Sequence, residues 1–336
     1  MESKDFPVLD IRNLKKYFEI QKGFFKKNIS LLRAVDNVNI ELYSGKTLGL
    51  VGESGCGKST LGKSTLRAIE PTSGSIHLNL DKKYSLCDLN KQELRSFRKY
   101  MQMIFQDPNS SLDPRMTISD IISEPIKANY FLKKHDIQNK VKNLMEIVGL
   151  NSNQLYRYPH AFSGGQRQRI GIARALASDP KIVVCDEAVS ALDVSVQAQI
   201  INLLKEIQEK YNLTYLFISH DLSVVEHLSD RVAVMYLGKI VEIGNTEDVF
   251  CNPKHPYTEA LLSAVPKDYK NNKQKKIILK GEIANSINIP SGCAFHTRCN
   301  YAKEECKIEP TYLGLTENEH YVSCHLHKDL NLSGLF

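Results

Sequence analysis

No stretch of this 336-residue chain approaches the roughly 18 consecutive apolar residues needed to cross a bilayer. Any role at a membrane therefore has to be exercised through partners. The opening Met1-Glu2-Ser3-Lys4-Asp5 has no apolar signal region behind it, which argues against export. No internal repeat is visible, which sets aside solenoids and tandem duplicated units. Cys-x-x-Cys, a frequent spacing of zinc sites, does not occur among the 8 cysteines. A strong excess of one charge is missing too. The net charge of +6 is mild and spread out, so it reads mostly as solvated faces and only weakly as a footprint for nucleic acid or an anionic membrane. What remains is 42% hydrophobic content, enough to bury a full core in about two domains.

The strongest positive signal is Gly52-Glu53-Ser54-Gly55-Cys56-Gly57-Lys58-Ser59, continued by Thr60. It follows the apolar run Thr47 to Val51, suited to a buried parallel strand, and precedes a segment that can continue as a helix. The glycines let the backbone curl so that successive N–H groups face phosphate oxygens at a helix N-terminus. Lys58 is expected to meet the terminal phosphates of a nucleotide and the Ser59 hydroxyl to ligate magnesium. A second apolar strand, Lys181 to Cys185, runs into Asp186-Glu187, at the strand end where ligands sit in open parallel sheets. Asp186 is expected in the magnesium shell, with Glu187 polarising the attacking water.

Between these lies Ser163-Gly164-Gly165-Gln166, ahead of a helix-like run from Gln168 to Ser178. It resembles the signature of ABC-type ATPases, with Phe162 where Leu is usual. A hydroxyl and two unobstructed glycine N–H groups suit a γ-phosphate. In that family the signature closes on ATP held by the phosphate loop of a second cassette, head to tail. The resemblance implies an α/β fold: a P-loop ABC nucleotide-binding domain with a RecA-like core, an antiparallel β subdomain and a helical subdomain. It also assigns residues. Gln106 matches the glutamine that touches magnesium and water and senses the membrane partner. His220 matches the switch histidine at the γ-phosphate, and Ser190 and Asp193 fall in the loop that contacts the opposite site. Phe18 aligns with the aromatic that stacks on adenine, with Tyr17 as the neighbouring alternative. With Glu187 and His220 both present, the resemblance implies a hydrolysing subunit.

Division into a cassette over 1–250, with its helical subdomain at about 107–178, and an extension over 251–336 follows from the change in pattern. Val141, Leu144, Met145 and Val148 mark one helix face in the helical part. Lys267 to Lys276 is a charge run best read as a solvated linker. The tail beyond it carries Cys293, Cys299, Cys306 and Cys324. In a cytosolic setting such clustered thiols favour metal over disulfides, with iron–sulfur and zinc both open.

The segments Ser111-Leu112-Asp113-Pro114-Arg115-Met116-Thr117, Tyr158-Pro159-His160 and His255-Pro256-Tyr257-Thr258 extend the resemblance to the peptide/nickel branch of bacterial ABC importers. Cys185 to Ser190 is similar to the F-type ATPase of oligopeptide permease, with Ala188 where many relatives have Pro. In relatives of this branch the four tail cysteines hold a [4Fe-4S] cluster, implied here as a structural staple. The resemblance further implies ATP and Mg2+, a D-type ATPase as heterodimer partner, two transmembrane permease subunits and an extracytoplasmic peptide-binding protein. The chain would be peripheral, at the cytoplasmic face of the plasma membrane, with no nucleic acid expected. Dipeptide, nickel or glutathione cargo stays open beside oligopeptide. A soluble ABC ATPase acting on nucleic acid or the ribosome is the remote alternative.

Overall fold

A computed structural model describes residues 6–22, 28–107, 111–265, 276–279, 286–316 and 319–335. Pro108 and residues 267–275 of the charge run lie outside these. The chain divides into two compact units, Met1–Leu9 with Leu42–Thr47 and Leu78–Ile218, and Asp10–Glu41 with Leu48–His77 and Ser219–Phe336.

The first unit carries three parallel strands, Met101–Ile104, Ile182–Asp186 and Thr214–Ile218, registered through Met101↔Ile182 and Ile182↔Thr214. All residues of the latter two strands are buried, as expected of apolar runs in a parallel sheet covered on both faces. The anticipated helical region is there as Ile118–Asn129, Lys134–Ile147 and Gly164–Leu176. Val141, Leu144 and Met145 form the buried face of the second of these. The helix after Asp186 runs Val194–Tyr211 and stops at Asn212, which takes the left-handed conformation with φ 49°.

In the second unit, Thr47–Val51, all but its first residue, pairs in parallel with Arg231–Tyr236. That strand turns through Leu237 and Gly238, both at positive φ, into the antiparallel strand Lys239–Asn245. Ahead of these run the long strands Leu9–Lys22 and Asn28–Leu42. The strand Lys239–Asn245 was not anticipated. Its apolar pattern is broken by Glu242, whose fully buried carboxylate accepts from Lys254 N at 2.6 Å and His255 N at 3.0 Å and pairs with His320 Nε2 at 2.7 Å.

The tail is built into this unit. Tyr321–Val322 adds antiparallel to Lys239–Asn245 through Glu242↔Val322, and Gly314–Leu315 pairs in turn with Tyr321–Val322. Glu259, on the helix Pro256–Leu262, accepts from Tyr301 Oη at 3.0 Å and Ser333 N at 2.9 Å. Phe295, Val322, Leu326, Leu332 and Leu335 are buried. The extension thus shares its core with the strands and helix it follows, the usual solution for a segment too small to stand alone.

His255 caps that helix by accepting from Tyr257 N at 3.0 Å through Nδ1, and burial pushes its pKa down to about 3. Because the folded value lies below the unfolded value of about 6.5, the unfolded chain binds the extra proton first, and stability falls as pH drops below 6.5. The expected slope is up to about 1.4 kcal/mol per pH unit. His255→Asn keeps a capping oxygen but no titrating ring. Denaturant unfolding at pH 7.5 and 5.5 checks this: wild type is expected to lose about 1–2 kcal/mol more than the variant. Equal losses would remove His255 as the source.

Among the described residues, no helix is long and apolar enough to cross a membrane.

Candidate active site

The phosphate loop has the expected setting, with the strand Thr47–Val51 before it and the helix Lys58–Thr65 after it. Gly57 sits at the helix start with φ 112°, and a Cβ there would collide with the Ala34 carbonyl oxygen, so the curl requires glycine. Lys58 is buried and folds its ammonium back onto the loop, donating to Gly52 O at 2.7 Å and Glu53 O at 3.0 Å. These are carbonyls a phosphate can replace as partners. Cys56 is also buried, and burial raises its pKa, so it packs as a neutral thiol. Ser54 and Gly55 are exposed at the loop tip.

His220 is exposed one residue after Ser219, whose N–H donates to Leu50 O at 3.2 Å in the strand that feeds the loop. On the N-terminal strand, the Tyr17 hydroxyl donates to Asp36 Oδ1 at 2.6 Å. Burial first, then that bond, pushes the Tyr17 pKa up to about 12. Phe18 carries no such tie and has Lys16 Nζ 4.9 Å from its ring centroid.

In the first unit Asp186 ends its strand, buried at 4% exposure, and Glu187 follows at φ 47° with its N–H bonded to Ile218 O at 3.0 Å. A non-glycine residue in the left-handed region at this point is the kind of strain found where a side chain must be aimed. The Glu187 carboxylate accepts from Gln106 Nε2 at 2.7 Å, so two of the sequence candidates, 81 residues apart, meet directly. Ser190 Oγ donates to Glu187 O at 3.0 Å. Asp193 caps the following helix by accepting from Val196 N at 3.0 Å, and this bond holds its pKa below the usual carboxylate range.

Ser163 is exposed and caps the helix Gly164–Leu176. Its hydroxyl accepts from Gln166 N, and Gln166 Oε1 accepts from Ser163 N at 3.0 Å, closing a capping box. Gly165 packs so close to Val196 that a Cβ would overlap its methyl group. The first turn of a helix leaves backbone N–H groups without intrahelical partners, an arrangement suited to an anion. Phe162, the departure from the usual Leu, is buried at 5% exposure.

Two residues of the extension reach the phosphate loop, and the sequence reading had assigned neither a role. The Tyr257 hydroxyl accepts from Glu53 N at 2.8 Å, and Arg298 forms a two-pronged bond to the Glu53 carboxylate at 2.7 and 2.9 Å. Tyr257 lies in the His255–Thr258 segment quoted above and Arg298 directly precedes Cys299, and nothing in their spacing points at residue 53.

The four tail cysteines converge only loosely. Burial first, and then the neighbouring thiols, push Cys299 up to about 11 and Cys324 up to about 12. Cys293 is raised for the same main reason. Yet among the described residues no three His, Cys, Asp or Glu side chains are arranged to hold a metal ion. The expectation of a ready iron–sulfur or zinc site is therefore not met: neutral thiols would have to shed protons and close up to take a metal. The scattered Cys185 is a buried packing residue, its pKa driven up by burial, and Cys251 is exposed.

Residues 35–190 match the ABC transporter family and residues 241–306 the oligopeptide/dipeptide transporter C-terminal region. The oligopeptide transport ATP-binding protein AppF of Bacillus subtilis is 51% identical over 323 residues, covering 95% of this chain and 97% of its own. OppF of Salmonella typhimurium is 50% identical, covering 94% of this chain and 95% of its own. The dipeptide transport protein DppF of Haemophilus influenzae is 47% identical, covering 95% of this chain and 96% of its own. Among solved structures, the dimeric ATP-binding cassette MJ0796 bound to ADP and Pi superposes with a TM-score of 0.62 at 26% identity, covering 71% of this chain and 98% of that one. With the phosphate loop, the Asp186-Glu187 strand end and the capped signature helix all in place, the chain belongs to the ATP-binding subunits of ABC transporters of the oligopeptide/dipeptide branch.

Proposed function

We propose that this chain hydrolyses ATP to drive the import of peptides through separate membrane subunits. The observation that carries the reading is the bond of Gln106 Nε2 to Glu187 Oε2 at 2.7 Å. It joins the residue read as sensing the membrane partner to the residue read as base. A displacement of Gln106 by a partner would change how Glu187 is oriented, which is a direct physical route from transport state to hydrolysis. Residues 52–60 would cradle the phosphates, Phe18 would stack on adenine, and Ser59, Gln106 and Asp186 would offer hard oxygen donors to Mg2+. His220 would contact the γ-phosphate.

Ser163, Gly164, Gly165 and Gln166 would close on the ATP of a D-type partner cassette, with Ser190 and Asp193 speaking across the same interface. ATP then acts as a bridging ligand that favours the closed pair, and its hydrolysis removes the bridge. The functional division we propose is a cassette over 1–250 and a peptide-permease extension over 251–336. Two permease subunits and an extracytoplasmic peptide-binding protein complete the importer, with this chain peripheral on the cytoplasmic face. Oligopeptides and dipeptides are both candidate cargo, since relatives named for each match about equally well. As a finer reading, Cys293, Cys299, Cys306 and Cys324 would hold a [4Fe-4S] cluster that staples the tail. Its support is that Cys293, Cys299 and Cys306 all lie within electrostatic reach of Cys324.

One preparation tests both readings: the complex of this chain with its membrane subunits and partner ATPase, purified anaerobically and reconstituted in vesicles. Peptide-loaded binding protein is expected to stimulate ATP turnover and peptide accumulation, and the sample to absorb in the visible as iron–sulfur proteins do. Turnover indifferent to every peptide length would overturn the import reading. A colourless, iron-free sample would overturn the cluster alone.

A further inference from the structure

Glu53 is the second residue of the phosphate loop and brings a carboxylate to a cradle meant for a polyanion. Left uncompensated there, that charge opposes nucleotide binding. The chain answers it from far along the sequence. Arg298 Nη1 and Nη2 donate to the two Glu53 carboxylate oxygens at 2.7 and 2.9 Å, a fork that only a guanidinium offers. The Arg298 side chain is 6% exposed and that of Glu53 is 23% exposed, so water screens the pair poorly. The guanidinium is held in place from its own side, 5.9 Å from the Tyr236 ring centroid, and Tyr236 meets Phe295 edge to face at 5.3 Å. The backbone of Glu53 is fixed as well, its N–H donating to the Tyr257 hydroxyl at 2.8 Å and its carbonyl accepting from Lys58 Nζ at 3.0 Å.

We infer that Arg298 is a positioning residue for nucleotide binding: by neutralising and anchoring Glu53 it makes the C-terminal extension a working part of the ATP site of its own chain. The inference rests on the reading of residues 52–60 as the ATP cradle. Through Glu53 it also bears on Lys58, which shares that residue's carbonyl. The extension is then required for nucleotide affinity as well as for folding.

The test is MgATP binding and steady-state hydrolysis by the full-length chain with its partner subunits. Arg298→Ala, which frees the carboxylate, is expected to raise the Kd for MgATP about tenfold, with the loss falling on KM rather than kcat. Adding Glu53→Gln to that variant removes the stranded charge and is expected to recover most of the affinity, although the bridge is still missing. A purely structural bridge predicts the reverse, a double variant no better than Arg298→Ala. Arg298→Lys, which keeps the charge and loses the fork, is expected to fall between, and serves if the alanine variant does not fold. An unchanged Kd in Arg298→Ala, or a double variant as weak as the single, overturns the inference. Failure of the wild-type chain to bind MgATP, or binding that survives Lys58→Ala unchanged, would instead overturn the cradle on which it rests.

Discussion

Glu187→Gln is expected to cut steady-state ATP turnover by about 10²–10⁴-fold while MgATP still binds, the range associated with losing a general base. The substitution keeps the volume of the side chain and can keep a hydrogen bond to Gln106, since an amide oxygen accepts as a carboxylate oxygen does. It removes only the capacity to take a proton from water. The backbone arrangement, with φ 47° and the N–H on Ile218 O, does not depend on the side chain's charge. Single-turnover hydrolysis separates binding from chemistry, and the variant is expected to retain unhydrolysed ATP on a closed cassette pair. Turnover within about tenfold of wild type would remove Glu187 as the base.

The second large effect belongs to the extension. Phe295 is 2% exposed and sits among Tyr236, Tyr257 and His255, with ring centroids 5.3, 5.4 and 5.7 Å away. Truncation to alanine forfeits both the buried ring and its aromatic contacts and leaves a cavity, a combination that costs about 3–5 kcal/mol. Two of the rings belong to residues around the phosphate loop: the Tyr257 hydroxyl bonds Glu53 N, and the Tyr236 ring underlies Arg298. Denaturant unfolding measures the loss, and limited proteolysis is expected to release the tail first. A change below about 1 kcal/mol would show that the tail does not share this core.

The parts of the fold legible in the sequence were those governed by local pattern. Thr47 to Val51 and the strand before Asp186 stand out because both of their faces are buried. Ser163 and Asp193, singled out for the signature and the cross-site loop, are also helix caps, a role the sequence reading did not assign them. The strand Lys239–Asn245 escaped because a glutamate in its middle looks like solvent-facing polarity, and the groups that satisfy it lie as far away as His320. Arg298 escaped for the same reason: its partner is 245 residues distant, and no spacing rule reaches that far. The cysteine spacing suggested a metal site, but spacing constrains chain reach and not side-chain placement, and among the described residues no three ligating side chains are grouped to hold a metal ion.

The strand built by Tyr321–Val322 has a consequence for how the protein is made. A growing chain that has emerged only as far as residue 300 already contains every ATP motif, yet Lys239–Asn245 still has an open backbone edge, and the Glu242 carboxylate lacks His320. Such an unfinished edge is a template for pairing with other chains. It is the emergence of Tyr321–Val322, rather than that of the earlier motifs, that covers this edge at Glu242 and Ile243.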